Sequence, residues 1–124
     1  MTARATFKRF EDIKAWQKAR KISYEVNIVS SKGEFGRDYE LRGQIRRSAV
    51  SIMANIAEGQ GRRTDKDFAN FLNMSLGSLA ETKSHLYLAL DLRYLDDTTF
   101  KDLYEKLDEV GRMVFSLSEH LRKF

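Results

Sequence analysis

The sequence predicts an all-α protein, an antiparallel up-down four-helix bundle, and three observations lead there. Proline is absent and glycine numbers only 7 in 124 residues, too few for the many tight turns of a β-sandwich or barrel. Cysteine is absent as well, which removes disulfide scaffolds, thiolate metal sites and cysteine nucleophiles together. The third observation is periodicity. Phe100, Leu103, Leu107, Val110, Val114, Leu117, Leu121 and Phe124 step 3, 4, 3, 4, 3, 4, 3, a seam of three heptads that lies along one face of a helix.

The other elements follow in order. The first helix is expected over residues 11–30, where Ala15, Ala19, Ile22, Val26 and Val29 share one face with Trp16 beside it. Ser31-Lys32-Gly33-Glu34-Phe35-Gly36 ends that pattern and reads as a joint. The second helix, residues 39–58, carries Leu41, Ile45, Ala49, Ile52 and Ile56 on its face. Gly59-Gln60-Gly61 is expected to stop it through glycine in the left-handed conformation. Thr64 caps the third helix, which runs to about Arg93 with Phe68, Leu72, Leu76, Leu79, Leu86 and Leu90 at helical spacing, broken only by Lys83. Asp96 or Asp97 caps the fourth. Short joints make neighbouring helices antiparallel. The chain is long enough for one domain, a bundle over residues 10–124 behind a basic arm at residues 1–9.

The second helix has a further stripe. Gln44, Ser48, Ser51, Asn55 and Glu58 step 4, 3, 4, 3, and Ser78 and Glu81 on the third helix are their expected partners. Small and amide-bearing side chains in such a stripe point to an interhelical polar seam that fixes register, since buried polar groups must be paired. A ligand or partner site around Asn55 and Glu58 is the sharper reading of the same residues.

Catalytic chemistry is missing. His85 and His120 lie on different helices, no H-x-x-x-H pair or phosphate loop exists, and helix capping accounts for acidic residues near 96–97. The expectation is a protein without enzymatic activity, cofactor or metal. No apolar run reaches the ~20 residues of a membrane span, and residues 1–9 lack the apolar core of a secretory signal. A cytoplasmic protein with no membrane partner is therefore expected.

Charge is uneven. Net charge is +4, yet residues 1–66 hold 15 Lys/Arg against 8 Asp/Glu while residues 67–124 hold 7 against 10. Arg37, Arg42, Arg46, Arg47, Arg62, Arg63 and Lys66 form the candidate nucleic-acid-binding set, able to contact backbone phosphates without reading bases if they share a surface. The alternative is a solvated exterior on a purely structural or protein-interaction module. Phe71 and Met74 fall beside the third helix's seam and are the candidate oligomer interface, because large apolar patches are unusual on monomers. A basic half and an acidic half suit a head-to-tail, ring-closing contact.

Three stretches carry a resemblance: residues 10–19 (FEDIKAWQKA), 44–59 (QIRRSAVSIMANIAEG) and 75–81 (SLGSLAE). They are similar to the four-helix-bundle proteins encoded by intervening sequences in bacterial 23S rRNA genes, often labelled ribosomal-protein-like. The resemblance implies an up-down bundle, assembly as a homopentamer, and an activity not yet established. It extends distantly to the pentameric accessory protein of diversity-generating retroelements, which works with nucleic acid and a reverse transcriptase. The family pattern has proline where this chain has Met53, which predicts a straighter second helix here. The resulting expectation is a self-associating, non-enzymatic bundle with structured RNA or another nucleic acid, or a protein, as candidate partner.

Overall fold

The computed structural model describes residues 7–123. A 3₁₀ turn, Phe10–Asp12, precedes five helices: α1 (Lys14–Val29), α2 (Gly33–Arg37), α3 (Tyr39–Gln60), α4 (Asp65–Asp91) and α5 (Asp97–Arg122). No strand occurs among the described residues. The four long helices are the bundle that periodicity predicted. Residues 1–6 of the expected arm, and Phe124 of the α5 seam, lie outside the described residues.

Cross-helix contacts fix the topology. Ser51 meets Ser78 and Ser48 meets Thr82 between α3 and α4. Asn73 meets Ser118 and Lys83 meets Asp108 between α4 and α5. Glu25 meets Lys106 between α1 and α5, and Ser30 meets Arg46 between α1 and α3. Lys18 also meets Glu109 between α1 and α5, and Gln60 at the end of α3 reaches Phe7 ahead of α1. Across each interface one number rises as the other falls, so every neighbour is antiparallel. The helices run α1–α3–α4–α5 around the bundle, with α3 and α4 packed most extensively and α1 and α5 least.

Local differences from the expected elements have physical causes. α1 begins three residues later than expected, because Ile13 is extended (φ −77°, ψ 117°) and buried. That break lets Phe10 meet Trp16 edge-on at 5.0 Å. The joint after α1 is not a plain linker. It folds into α2, whose Phe35 is fully buried and stacks on Tyr94 at 5.2 Å. Two glycines allow this: Gly33 has φ +53°, and a Cβ on Gly36 would sit 2.5 Å from the Ser31 carbonyl oxygen. At the end of α3, Gly61 is right-handed (φ −78°, ψ −2°), so the left-handed stop expected there is absent. The left-handed residue is instead Arg93 (φ 62°), after α4. There Tyr94 N–H reaches Ala89 O and Arg93 N–H reaches Leu90 O, both at 2.9 Å, closing the helix in a Schellman arrangement.

The core stripe of α4 also differs. Phe68, Leu72, Ser75, Leu79, Thr82, Leu86 and Ala89 are buried, whereas Leu76 and Leu90 are half-buried. Lys83 therefore does not interrupt the core. It faces α5, paired with Asp108 and lying 4.7 Å from the Tyr104 ring centroid. Met53 leaves α3 unbroken from Tyr39 to Gln60.

Candidate nucleic-acid interface

The expected basic set does not converge. Arg46 is turned onto the end of α1, donating from Nε to Ser30 Oγ at 2.9 Å and from Nη2 to Ser31 Oγ at 2.8 Å. Arg42 donates to the Gly36 carbonyl at 2.8 Å and covers the Tyr39 ring. Arg62 pairs with Glu58 at 2.8 Å and lies 4.6 Å from the Phe71 ring. Arg37 sits 3.8 Å from Glu34, with both side chains 80% exposed, a geometry worth little in water. Arg47, Arg63 and Lys66 are exposed. Arg47 lies at mid-helix in α3 while Arg63 and Lys66 lie beyond its end, roughly 20 Å away at 1.5 Å per residue.

Topology gathers positive charge elsewhere. One half of the bundle contains the starts of α1 and α4 and the ends of α3 and α5. Its residues, 7–21, 50–78 and 110–123, hold 12 Lys/Arg against 6 Asp/Glu. The other half, residues 22–49 and 79–109, holds 9 against 12. The chain's basic and acidic sequence halves thus lie side by side, while charge also separates end from end. Lys14, Lys21 and Arg112 belong to the positive end and are exposed. Sequence reasoning left Arg112 out because it lies on the acidic half of the chain; only the antiparallel return of α5 brings it beside α1.

Open hollows follow the loosely packed α1–α5 groove. One of about 720 Å³ is lined by Phe7, Ile13, Lys14, Ala15 and, from α5, Arg112, Met113, Ser116, Leu117 and His120. Next along the groove, a hollow of about 110 Å³ meets Lys18, Lys21, Ile22, Glu25, Lys106 and Glu109. Its carboxylates are already paired: Glu109 with Lys18 at 3.4 Å and Glu25 with Lys106 at 2.6 Å. The hydrogen bond to Glu25 raises the Lys106 pKa, with a second contribution from Asp102.

The polar stripe divides. Ser48, Ser51, Asn55 and Ser78 come together between α3 and α4. The Ser51 and Ser78 hydroxyls bond at 2.9 Å, and Asn55 Nδ2 donates to Ser51 O at 2.9 Å and Ser51 Oγ at 3.1 Å. Gln44 is exposed, Glu58 is taken by Arg62, and Glu81 is exposed 3.7 Å from His85 Nε2. Two members of the seam lie outside the expected set: Thr82 Oγ1, 2.9 Å from Ser48 Oγ, and Ser75 Oγ, which donates to Ile52 O at 2.8 Å. Both side chains are fully buried. Their signal was a 4, 3, 4, 3, 4, 3 stripe from Phe68 to Ala89 that includes polar residues.

Phe71 is half-buried under Arg62, while Met74 is 55% exposed. No cluster of three or more metal-ligating side chains exists among the described residues. No described helix is long and apolar enough to cross a membrane.

Residues 11–116 match the family described as 23S rRNA-intervening sequence protein. The chain belongs to that family. A crystal structure of a protein of unknown function from the S23 ribosomal protein family of Bacteroides thetaiotaomicron has the same fold, with TM-score 0.76 and 23% identity. The match covers 82% of this chain and 95% of the other. No curated protein matches the chain.

Proposed function

We propose that this member of the 23S rRNA-intervening sequence family is a non-enzymatic, self-associating bundle that binds nucleic-acid backbone through its positive end. The observation that carries the reading is the excess of 12 Lys/Arg over 6 Asp/Glu in that end, against the reverse balance at the other. A cationic surface of this kind attracts phosphates without reading sequence. The binding residues are then Lys14, Lys21 and Arg112, rather than Arg42 and Arg46, which hold the fold.

Filter binding of structured RNA across a salt series tests it. Binding whose log K falls with log salt by roughly 0.7–0.9 per phosphate contact is expected. Charge reversal at Lys14 and Arg112 weakens it, and no binding at ~50 mM salt, where screening is mild, rejects it.

Exposed apolar side chains support self-association. Met74 (55% exposed) and Leu88 (46%) stand on one face of α4, and Val50 (46%) is exposed on α3. Patches of this kind mark interfaces. The assembly is a ring of identical contacts between unlike surfaces, with five subunits as the resemblance implies. A purely structural protein-interaction module is the second reading. It rests on these same apolar side chains and becomes the conclusion if RNA fails to bind.

A further inference from the structure

The large hollow in the α1–α5 groove has a composition that a phosphate-binding surface alone does not require. Its floor is apolar, formed by Phe7, Ile13, Ala15, Met113 and Leu117, and its rim carries Lys14, Arg112, Ser116 and His120. Among the described residues, no carboxylate lines it. Of the two acidic residues just before α1, Glu11 is held by Arg9 at 2.7 Å, and Asp12 is exposed and does not line the hollow. Further along the groove, Glu25 and Glu109 are engaged by lysines. At about 720 Å³ the hollow is wide and open to solvent, with room for a planar ring to lie on its floor.

We infer that this hollow receives an unpaired nucleotide: a base against the apolar floor, and its flanking phosphates on Lys14 and Arg112. The inference rests on the nucleic-acid reading above and specifies its ligand. A duplex buries its bases and offers the rim only phosphates. A single strand offers both phosphates and an exposed base face, which apolar and aromatic side chains bind without regard to sequence. Cations and apolar surface within one concave site therefore favour the single strand. Lys21, exposed beside the adjoining hollow, continues the positive track for the strand that leaves.

The test is a fluorescence-anisotropy titration of the whole chain with labelled oligouridylate and with an RNA duplex of equal length, at about 50 mM salt. The single strand is expected to bind roughly tenfold more tightly. Ser116 is exposed on the rim, so Ser116→Trp fills the hollow without changing charge or core. It should abolish the preference and leave duplex binding intact, whereas Lys14→Glu with Arg112→Glu weakens both. Should Ser116→Trp perturb the fold, photo-crosslinking of thiouridine-containing RNA to the unaltered protein decides, with adducts expected at Phe7 or within residues 112–117. Equal affinity for both forms, or adducts confined to other segments, overturns the unpaired-nucleotide inference and leaves backbone binding standing. No binding of either RNA overturns both.

Discussion

The Tyr94 hydroxyl donates to Asp38 Oδ2 at 2.9 Å, across 56 residues of sequence. The other oxygen of the same carboxylate accepts from Leu41 N at 3.1 Å and caps α3. One side chain therefore fixes the start of α3 and ties it to the loop between α4 and α5. Tyr94 also lies on Phe35, so α2 is held in the same knot. Removing the carboxylate in Asp38→Ala loses the cap and leaves the phenol unpaired. Destabilisation of roughly 1–2 kcal/mol is expected in urea unfolding. Asp38→Asn keeps one acceptor oxygen for Leu41 N but puts an NH2 donor at the other position, so it should recover the cap and lose the bond donated by Tyr94.

The same bond gives the protein an alkaline limb. Accepting from Tyr94, Asp38 holds the phenol's pKa above its ordinary value. A folded pKa raised above the unfolded one means the contribution is complete below about pH 10 and fades as pH climbs through the folded value. Lys106, raised by Glu25 and Asp102, adds to the same limb. At the acid end the sign reverses. Asp96 accepts from Thr99 at the start of α5 and its pKa is lowered. Its contribution is present above the unfolded carboxylate value and is lost as pH falls through the folded one. Unfolding midpoints measured across pH should show Tyr94→Phe flattening the alkaline limb alone and Asp96→Ala the acid limb alone.

Arg46 separates fold from binding. Its guanidinium satisfies Ser30 Oγ, a residue with no exposed surface, and Ser31 Oγ. Arg46→Ala should destabilise the bundle by roughly 1–3 kcal/mol. At temperatures where it stays folded, its RNA affinity should fall no more than that of Arg63→Ala. A loss as large as that from charge reversal at Lys14 and Arg112 would return Arg46 to the binding surface.

Two glycines of similar sequence context should respond in opposite ways. At Gly59 a Cβ would lie 2.8 Å from Phe71 Cβ and 2.9 Å from Phe68 Cδ1, both on α4. Gly59→Ala must push α3 and α4 apart and should destabilise by roughly 1–3 kcal/mol. At Gly77 a Cβ meets nothing within 4 Å. Gly77→Ala should stabilise by up to about 1 kcal/mol through helix propensity. Thermal denaturation of the two variants side by side checks both signs.

The four long helices and their directions were legible because 3.6-residue periodicity is a direct record of which face is buried, whereas five-residue α2 is too short to leave such a record. The α4 register was read one residue off at Leu76 and Leu90, because an apolar count passes over Ser75 and Thr82. Those hydroxyls occupy the core by bonding to α3. The basic set is divided by the fold for the converse reason. Arginine in sequence carries charge but no partner, and Arg42 and Arg46 spend their donors on carbonyls and hydroxyls of α2 and α1. The α1–α5 groove was illegible, since residues 14 and 112 come to line one hollow only on the chain's fourth passage along the bundle.

Self-association gives the last prediction. Phe71 is a poor probe, because Phe71→Asp would place a charge under Arg62 and against Gly59 and so test folding as much as assembly. Met74 is 55% exposed, one α-helical turn from open Gly77, and its replacement leaves the core untouched. If this face of α4 is an interface, Met74→Asp with Leu88→Asp buries two uncompensated charges there, which is strongly unfavourable. Light scattering at micromolar concentration should then report a mass well above 14.4 kDa for the unaltered chain and near it for the double variant. Circular dichroism of the variant should stay fully helical, since both side chains point away from the buried stripe. An unaltered chain that scatters as a monomer rejects the ring. A double variant that keeps the larger mass moves the contact to another face, with exposed Tyr24 and Ile28 on α1 next in line.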